Sequence, residues 1–268
     1  MLKRTLTGAV LVTLIALLLY FSDLPYLLAA AMTLLSVIAV YELYRAGDML
    51  EKKELLAISE IMALAVSLAS FPHYTVVLAV SLAVAMAAFL YMMLRLGSYT
   101  LTDSKLFLIA LMLPVFFRAF TELRLLKNGL FYLVLLSCVC LLSDIFAYLL
   151  GLAFGKRKLA PRVSPGKSIA GAIGGVLVPT AVALAFCLIF GERLSLRIDY
   201  PALAVYLPTA AVVCQFGDLS MSVIKRNFGV KDYGKILPGH GGILDRFDSL
   251  VFSAPYTLLF MLVFPVAL

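Results

Sequence analysis

Four aspartates, five cations and a histidine crowd into one stretch of the chain, residues 217–248, GDLSMSVIKRNFGVKDYGKILPGHGGILDRFD. Asp218, Ser222 and Lys225 stand at i, i+4 and i+7, so a helix would carry them on one face. Asp245 and Asp248 follow at i, i+3. Carboxylates in this number suit a hard divalent cation such as Mg²⁺, which keeps several waters and bridges substrate phosphates. Helix capping would account for one aspartate at a helix start, but not for a pair beside His240 and Arg246. Gly229, Gly234, Gly239, Gly241 and Gly242 would let backbone amides come close to a phosphate, with His240 as a further hydrogen-bond donor. The plainer alternative for Asp218 and Lys225 is a buried ion pair that orients helices.

A second group precedes it. Asp144 and Tyr148 are one helical turn apart, and Gly151 and Gly155 form a small-xxx-small pair suited to helix packing. The segment FGKRKLAPRVSPGKS, residues 154–168, carries five cations, Lys167 among them, and two prolines. It reads either as an anchor for anionic lipid or as a clamp on a charged substrate. Its PGKS ending is not a nucleotide-binding P-loop, which would need glycine at Pro161. With two histidines in all, one of them His73 at a distant turn, a hydrolase-type nucleophile and base are not in sight. The residue types fit nucleotidyl or phosphoryl transfer by positioning and charge neutralisation.

These side chains have to be held by membrane helices. The chain is 63% hydrophobic with mean hydropathy +1.06, and only 14% of its residues are charged. Apolar runs long enough to cross hydrocarbon recur throughout, which excludes a soluble enzyme. Lipid demands that each backbone group be satisfied within its helix, and no alternating strands suggest a barrel. The expected fold is an all-α polytopic membrane protein. Nine spans are expected, at about 5–22, 26–43, 55–71, 74–94, 106–121, 130–153, 169–190, 201–224 and 248–267, the first a retained span rather than a cleaved signal. With the N-terminus inside, the outer segments hold only Arg118, Arg124, Lys127, Arg193 and Arg197 of the 22 cations. That asymmetry puts both polar groups on the cytoplasmic side. The net charge of +7 therefore speaks for topology and headgroups, not for nucleic acid. Cys138, Cys140, Cys187 and Cys214 fall in apolar runs without metal-ligand spacing. Composition shifts near residue 129, giving a supporting part, 1–128, and a catalytic part, 129–268.

The motifs resemble the phosphatidate cytidylyltransferase, or CDP-diacylglycerol synthase, family. The family pattern S-x-[apolar]-K-R-x₄-K-D, then H-G-G-[apolar]-x-D-R-[apolar]-D, is matched from Ser222, Lys225, Arg226, Lys231 and Asp232 through His240, Gly241, Gly242, Asp245 and Arg246 to Asp248. A second, D-x₂-A-Y-x₂-G followed by FGK-x-KL-x-P-x-x-SP-x-K-[ST], is matched from Asp144, Tyr148 and Gly151 to Lys167 and Ser168. One position departs: the glutamate the family usually has before Gly171 is Ala170 here. The resemblance covers roughly residues 140–250.

It implies the reaction CTP + phosphatidate → CDP-diacylglycerol + pyrophosphate with Mg²⁺, at two metal positions, in a dimeric inner-membrane enzyme with a polar cavity open to the cytoplasm. Asp218, Asp245, Asp144 and Asp248 would be the metal ligands. Asp218, Asp245, Asp248 and Lys225 would be catalytic. Lys167, Ser222, Arg226, Lys231, His240, Gly241, Gly242, Arg246 and Tyr148 would bind substrate and its phosphates. Two other classes remain in view: an ion-relaying transporter, which would spread its charges along the spans, and a membrane kinase that phosphorylates a lipid alcohol with CTP. A CDP-alcohol phosphotransferase is disfavoured by the absence of its DGxxAR pattern.

Overall fold

The computed structural model describes residues 13, 16–22, 24, 26–68, 74–94, 99–191, 193, 196–237 and 241–267. Its elements in order are α1 (Leu27–Ala46), α2 (Lys53–Leu68), α3 (Tyr74–Leu94), α4 (Leu101–Leu125), α5 (Gly129–Phe154), β1 (Lys158–Ala160), β2 (Ser164–Ser168), α6 (Ile169–Phe190), α7 (Tyr200–Asn227) and α8 (Leu244–Val263). Among the described residues, six helices are long and apolar enough to cross a membrane: α1, α4, α5, α6, α7 and α8. The expected third span is the 16-residue α2. Most of the expected first span lies outside the described residues, of which 16–20 are helical.

The all-α expectation needs one amendment. Residues 158–168 form a two-stranded antiparallel hairpin, β1 with β2, not a plain loop. Pro161 falls in the turn, and Pro165 is compatible with β2 because neither strand has a second neighbour to which a missing N–H would matter.

The chain divides into two compact units: residues 1–122 with 228–247, and residues 123–227 with 248–268. The first boundary falls close to the composition shift at residue 129. The return of 228–247 to the first unit has no counterpart in composition.

In the first unit, α1 and α2 pack together. Leu43, Tyr44 and Leu55 are fully buried there, and Tyr44 Oη meets Ser59 Oγ at 3.0 Å. α4 opens with a reciprocal cap: Thr100 N donates to Asp103 Oδ2 (2.7 Å) and Asp103 N to Thr100 Oγ1 (3.2 Å). This cap starts the helix a turn before the apolar run. Near the other end of α4, Arg118 Nε donates to Glu122 Oε1 (2.8 Å), a buried i, i+4 ion pair. The Phe117 ring stands 5.9 Å from that of Phe247.

In the second unit, α6 is built inside out relative to a helix in water. Its buried stripe is Gly171, Gly174, Gly175, Pro179, Ala183 and Cys187. Its large apolar side chains, such as Ile173, Leu177, Leu188 and Ile189, are exposed. In lipid no hydrophobic force pulls large side chains inward, so small residues mark the contact face and bring backbones together. A Cβ at Gly175 would lie 2.9 Å from the Ser143 carbonyl of α5 and 2.7 Å from Gln215 Nε2 of α7. A Cβ at Gly171 would collide with the Ala147 carbonyl. Gln215 Nε2 donates to the Ala172 carbonyl (3.0 Å) and to Ser143 Oγ (3.3 Å), tying α5, α6 and α7 together. α6 begins where Ser168 Oγ accepts from Gly171 N (3.1 Å). Asp199 Oδ1 caps α7 through Ala202 N (3.0 Å).

Candidate active site

The polar side chains fall into two sets, one in each unit. In the second unit, α7 places Asp218, Ser222 and Lys225 on one face, as their spacing predicts. Asp218 is ion-paired with Lys167, which β2 carries in. Lys225 Nζ lies 3.9 Å from Asp248 Oδ2 on α8. Lys225 is 8% exposed, and the paired carboxylates of Asp218 and Asp248 are only partly accessible. The charges of Asp218 and Asp144 both act on Asp248, and that of Lys225 acts with the opposite sign. Asp144 itself is exposed, although it sits within the apolar α5. Two ion pairs, Lys167–Asp218 and Lys225–Asp248, thus join β2, α7 and α8, with Asp144 of α5 in electrostatic range of Asp248.

The hairpin that supplies Lys167 is fixed at both ends. Ile169 N donates to the Arg157 carbonyl (3.0 Å), and Arg226 Nε of α7 donates to the Val163 carbonyl (3.1 Å). Gly155 and Gly151 border the Ser168 hydroxyl, where a Cβ at Gly155 would fall 2.6 Å from Oγ. The small-xxx-small pair therefore lets the hairpin settle on the end of α5. Tyr148 is 69% exposed.

In the first unit, the loop after α7 folds around two carboxylates. Asp245 Oδ2 accepts from Tyr233 N (2.8 Å) and from Gly242 N (2.9 Å), and Asp245 is 7% exposed. Gly241 has φ +84°, a conformation side chains resist, and a Cβ there would lie 2.8 Å from Asp245 Oδ2. Leu237 N donates to the Gly241 carbonyl (2.9 Å). His240 lies outside the described residues. Lys231, Asp232, Lys235 and Arg246 are exposed.

The second carboxylate belongs to Glu42 of α1, a residue the motif reading passed over. It is 1% exposed. Its Oε1 accepts from Ile243 N (3.1 Å) and its Oε2 from Leu244 N (2.9 Å). The available signal was its place inside an apolar run, since a charge there needs partners.

The arrangement offers lysines at graded depth for phosphate oxygens and carboxylates for a cation, with no nucleophile–base pair among them. Among the described residues, no group of three acidic, histidine or cysteine side chains is gathered into a metal cage.

The model of the cytidylyltransferase family matches residues 2–264. A phosphatidate cytidylyltransferase of Thermotoga maritima is 45% identical over 113 residues, 42% of each chain. That of Bacillus subtilis is 40% identical over 158 residues, 59% of this chain and 57% of the relative. That of Haemophilus influenzae is 45% identical over 131 residues, 48% of this chain and 45% of the relative. The chain thus spans about half the length of the curated relatives it matches. Because the family match runs through α1 to α8 and takes in every charged side chain placed above, the chain belongs to the cytidylyltransferase family.

Proposed function

We propose that the chain transfers the cytidylyl group of CTP to phosphatidate, giving CDP-diacylglycerol and pyrophosphate for phospholipid synthesis. The observation that carries this reading is the two lysine–aspartate ion pairs of the second unit, Lys167 with Asp218 and Lys225 with Asp248. A phosphate oxygen of phosphatidate attacks the α-phosphorus of CTP. The bond from that phosphorus to the β-phosphate oxygen breaks, and pyrophosphate leaves with the electron pair. The nucleophile is already an anion, so no base is required. The barrier lies instead in bringing two polyanions together, and neutralising them is the protein's task.

Lys167 and Lys225 are the groups placed to do so, and each can exchange its carboxylate partner for a substrate phosphate. Arg226, Lys231 and Arg246 add positive charge, with Ser222, Tyr148, His240 and Gly241 as further contacts for the nucleotide and lipid phosphates. The donor chemistry suits Mg²⁺: Asp218 and Asp248 each hold an ammonium, so both stand where positive charge settles. A hard cation of this kind needs only one or two carboxylates, with water and substrate phosphates completing its shell. Asp218, Asp144 and Asp248 are the residues of the second unit that would hold it, and Asp245 is the candidate ligand in the first. Bound there, it would withdraw charge from the attacked and leaving phosphates.

Several features of the setting belong to the same reading. The excess of cations on one side of the expected spans supports a multi-pass inner-membrane protein, with nine spans and a polar cavity that opens to the cytoplasm, where CTP is found. The acyl chains of phosphatidate stay in the bilayer while its headgroup enters sideways, because each CH₂ withdrawn from hydrocarbon costs about 0.8 kcal/mol. Association as a homodimer is part of the proposal.

One assay decides. Purified protein is given CTP labelled in the α-phosphate and, in parallel, CTP labelled in the γ-phosphate, with a panel of phosphatidates and lipid alcohols. Label from the α-position in a CDP-lipid supports the reading. Label from the γ-position in a phosphorylated alcohol would replace it with a lipid kinase.

A further inference from the structure

The start of α8 lacks the means to cap itself. The first amides of a helix have no partner inside it, and Ser, Thr, Asp or Asn just before the helix ordinarily accepts from them. Here the preceding residues are Gly241, Gly242 and Ile243, none with a side-chain acceptor. Asp245 does not fill the role, since its Oδ2 is turned back to Tyr233 N and Gly242 N. The acceptor comes from α1 instead, some 200 positions earlier. Glu42 takes Ile243 N with one oxygen and Leu244 N with the other. A carboxylate is also the charge that the positive end of a helix favours.

Room for it is made by two glycines. A Cβ at Gly242 would lie within collision distance of both Glu42 oxygens, and one at Gly234 would strike Oε1 and lie 2.7 Å from the carboxyl carbon. Gly242 has an ordinary backbone conformation, since only Gly229 and Gly241 among the described glycines have positive φ. Its lack of a side chain is therefore a matter of space.

We propose that Glu42 is a positioning residue of the site, a cap in trans that fixes the first turn of α8 and with it Asp245, and that Gly234 and Gly242 are glycines in order to admit its carboxylate. The consequence for Gly242 is a change of role, from phosphate cradle to a seat for Glu42. The inference rests on the reading of Asp245 as part of the active site. It adds a requirement from the N-terminal part of the chain, which none of the charged motifs contains.

Three variants in detergent-purified full-length protein test it: Glu42→Gln, Glu42→Ala and Gly242→Ala. The first keeps the shape and one acceptor. The second removes both acceptors, and the third places a methyl group against the carboxylate. Two readouts are taken, CDP-lipid formation and amide hydrogen exchange over 241–246. Glu42→Gln should lower kcat on the order of ten- to a hundredfold with KM for phosphatidate within about twofold, and Glu42→Ala should lower it further. Exchange at Ile243 and Leu244 should quicken by a similar factor. Gly242→Ala should be as damaging as Glu42→Gln in the wild-type background, yet cost no more than about twofold when added to Glu42→Ala, because the obstacle has gone.

If the losses of Gly242→Ala and Glu42→Ala simply multiply, or if Glu42→Gln exchanges and turns over as the wild type does, the proposal is overturned. Should Glu42→Ala fail to extract as a monodisperse protein, Glu42→Gln and its exchange readout still decide. Were the wild type to make no CDP-lipid, the functional reading would fall, while the exchange data would judge the cap on its own.

Discussion

Lys225 Nζ and Asp248 Oδ2 stand 3.9 Å apart, in electrostatic contact but beyond the reach of a direct hydrogen bond. Each feels the other's charge without being locked to it. Such a pair can part for a ligand that brings its own charges, a polyphosphate to the lysine and a cation to the aspartate. Asp218 and Lys167 make the tighter version of the same arrangement. Stability and turnover should therefore respond differently when the members of these pairs are changed.

The carboxylates come first. Asp218→Asn and Asp245→Asn keep size and shape while removing charge. Each should reduce CDP-lipid formation on the order of a hundredfold or more, with an unaltered size-exclusion profile in detergent. Near-wild-type turnover in either variant would remove that residue from the catalytic set.

Lys225 should behave otherwise. Lys225→Met leaves Asp248 without its cation in a largely enclosed place, and should cost about 2 kcal/mol of stability as well as turnover. Adding Asp248→Asn should restore much of the melting temperature, because no uncompensated charge remains, and none of the activity. A double variant that melts no higher than Lys225→Met alone would mean that the two side chains are not energetically coupled.

Removal of divalent cations should abolish turnover reversibly. With chelator, product formation should fall to background and return on titration with Mg²⁺. Asp248→Asn should need a higher Mg²⁺ concentration for half-maximal rate, since one fewer anion contributes to the site. A chelator-resistant rate in the wild type would leave neutralisation to the lysines alone.

The α5–α6 seam offers a test of the scaffold. Gly171→Leu would drive a side chain into the Ala147 carbonyl and should destabilise by about 1–3 kcal/mol or more. Leu177→Ala, on the exposed side of the same helix, should stay within about 0.5 kcal/mol. Thermal melting in a single detergent compares them. Equal effects would mean that α6 does not pack by its small face.

Much of this was legible in the sequence where it depended on period and length. The spans read at 130–153 and 169–190 emerge as Gly129–Phe154 and Ile169–Phe190, because long apolar runs between polar loops leave few choices. The Asp218–Ser222–Lys225 face followed from helical spacing alone. Pairings between elements were not legible. Nothing local says that Lys167 reaches Asp218, or that a glutamate in α1 completes α8. The span read from residue 248 in fact begins at Leu244, a turn earlier, where a distant carboxylate satisfies amides that the local sequence leaves bare. The hairpin was hidden too, since a segment with two prolines reads as loop until its strands are seen to have only each other.

The division of the chain has a bearing on how the protein is made. Residues 228–247 belong with the N-terminal helices, yet all of 123–227 is synthesised in between. While those later helices emerge and enter the bilayer, Glu42 waits in α1 without the amides that will receive it. The earliest part of the molecule is thus among the last to be completed, and a ribosome stalled before residue 244 would leave a lone acid in the membrane for quality control to find.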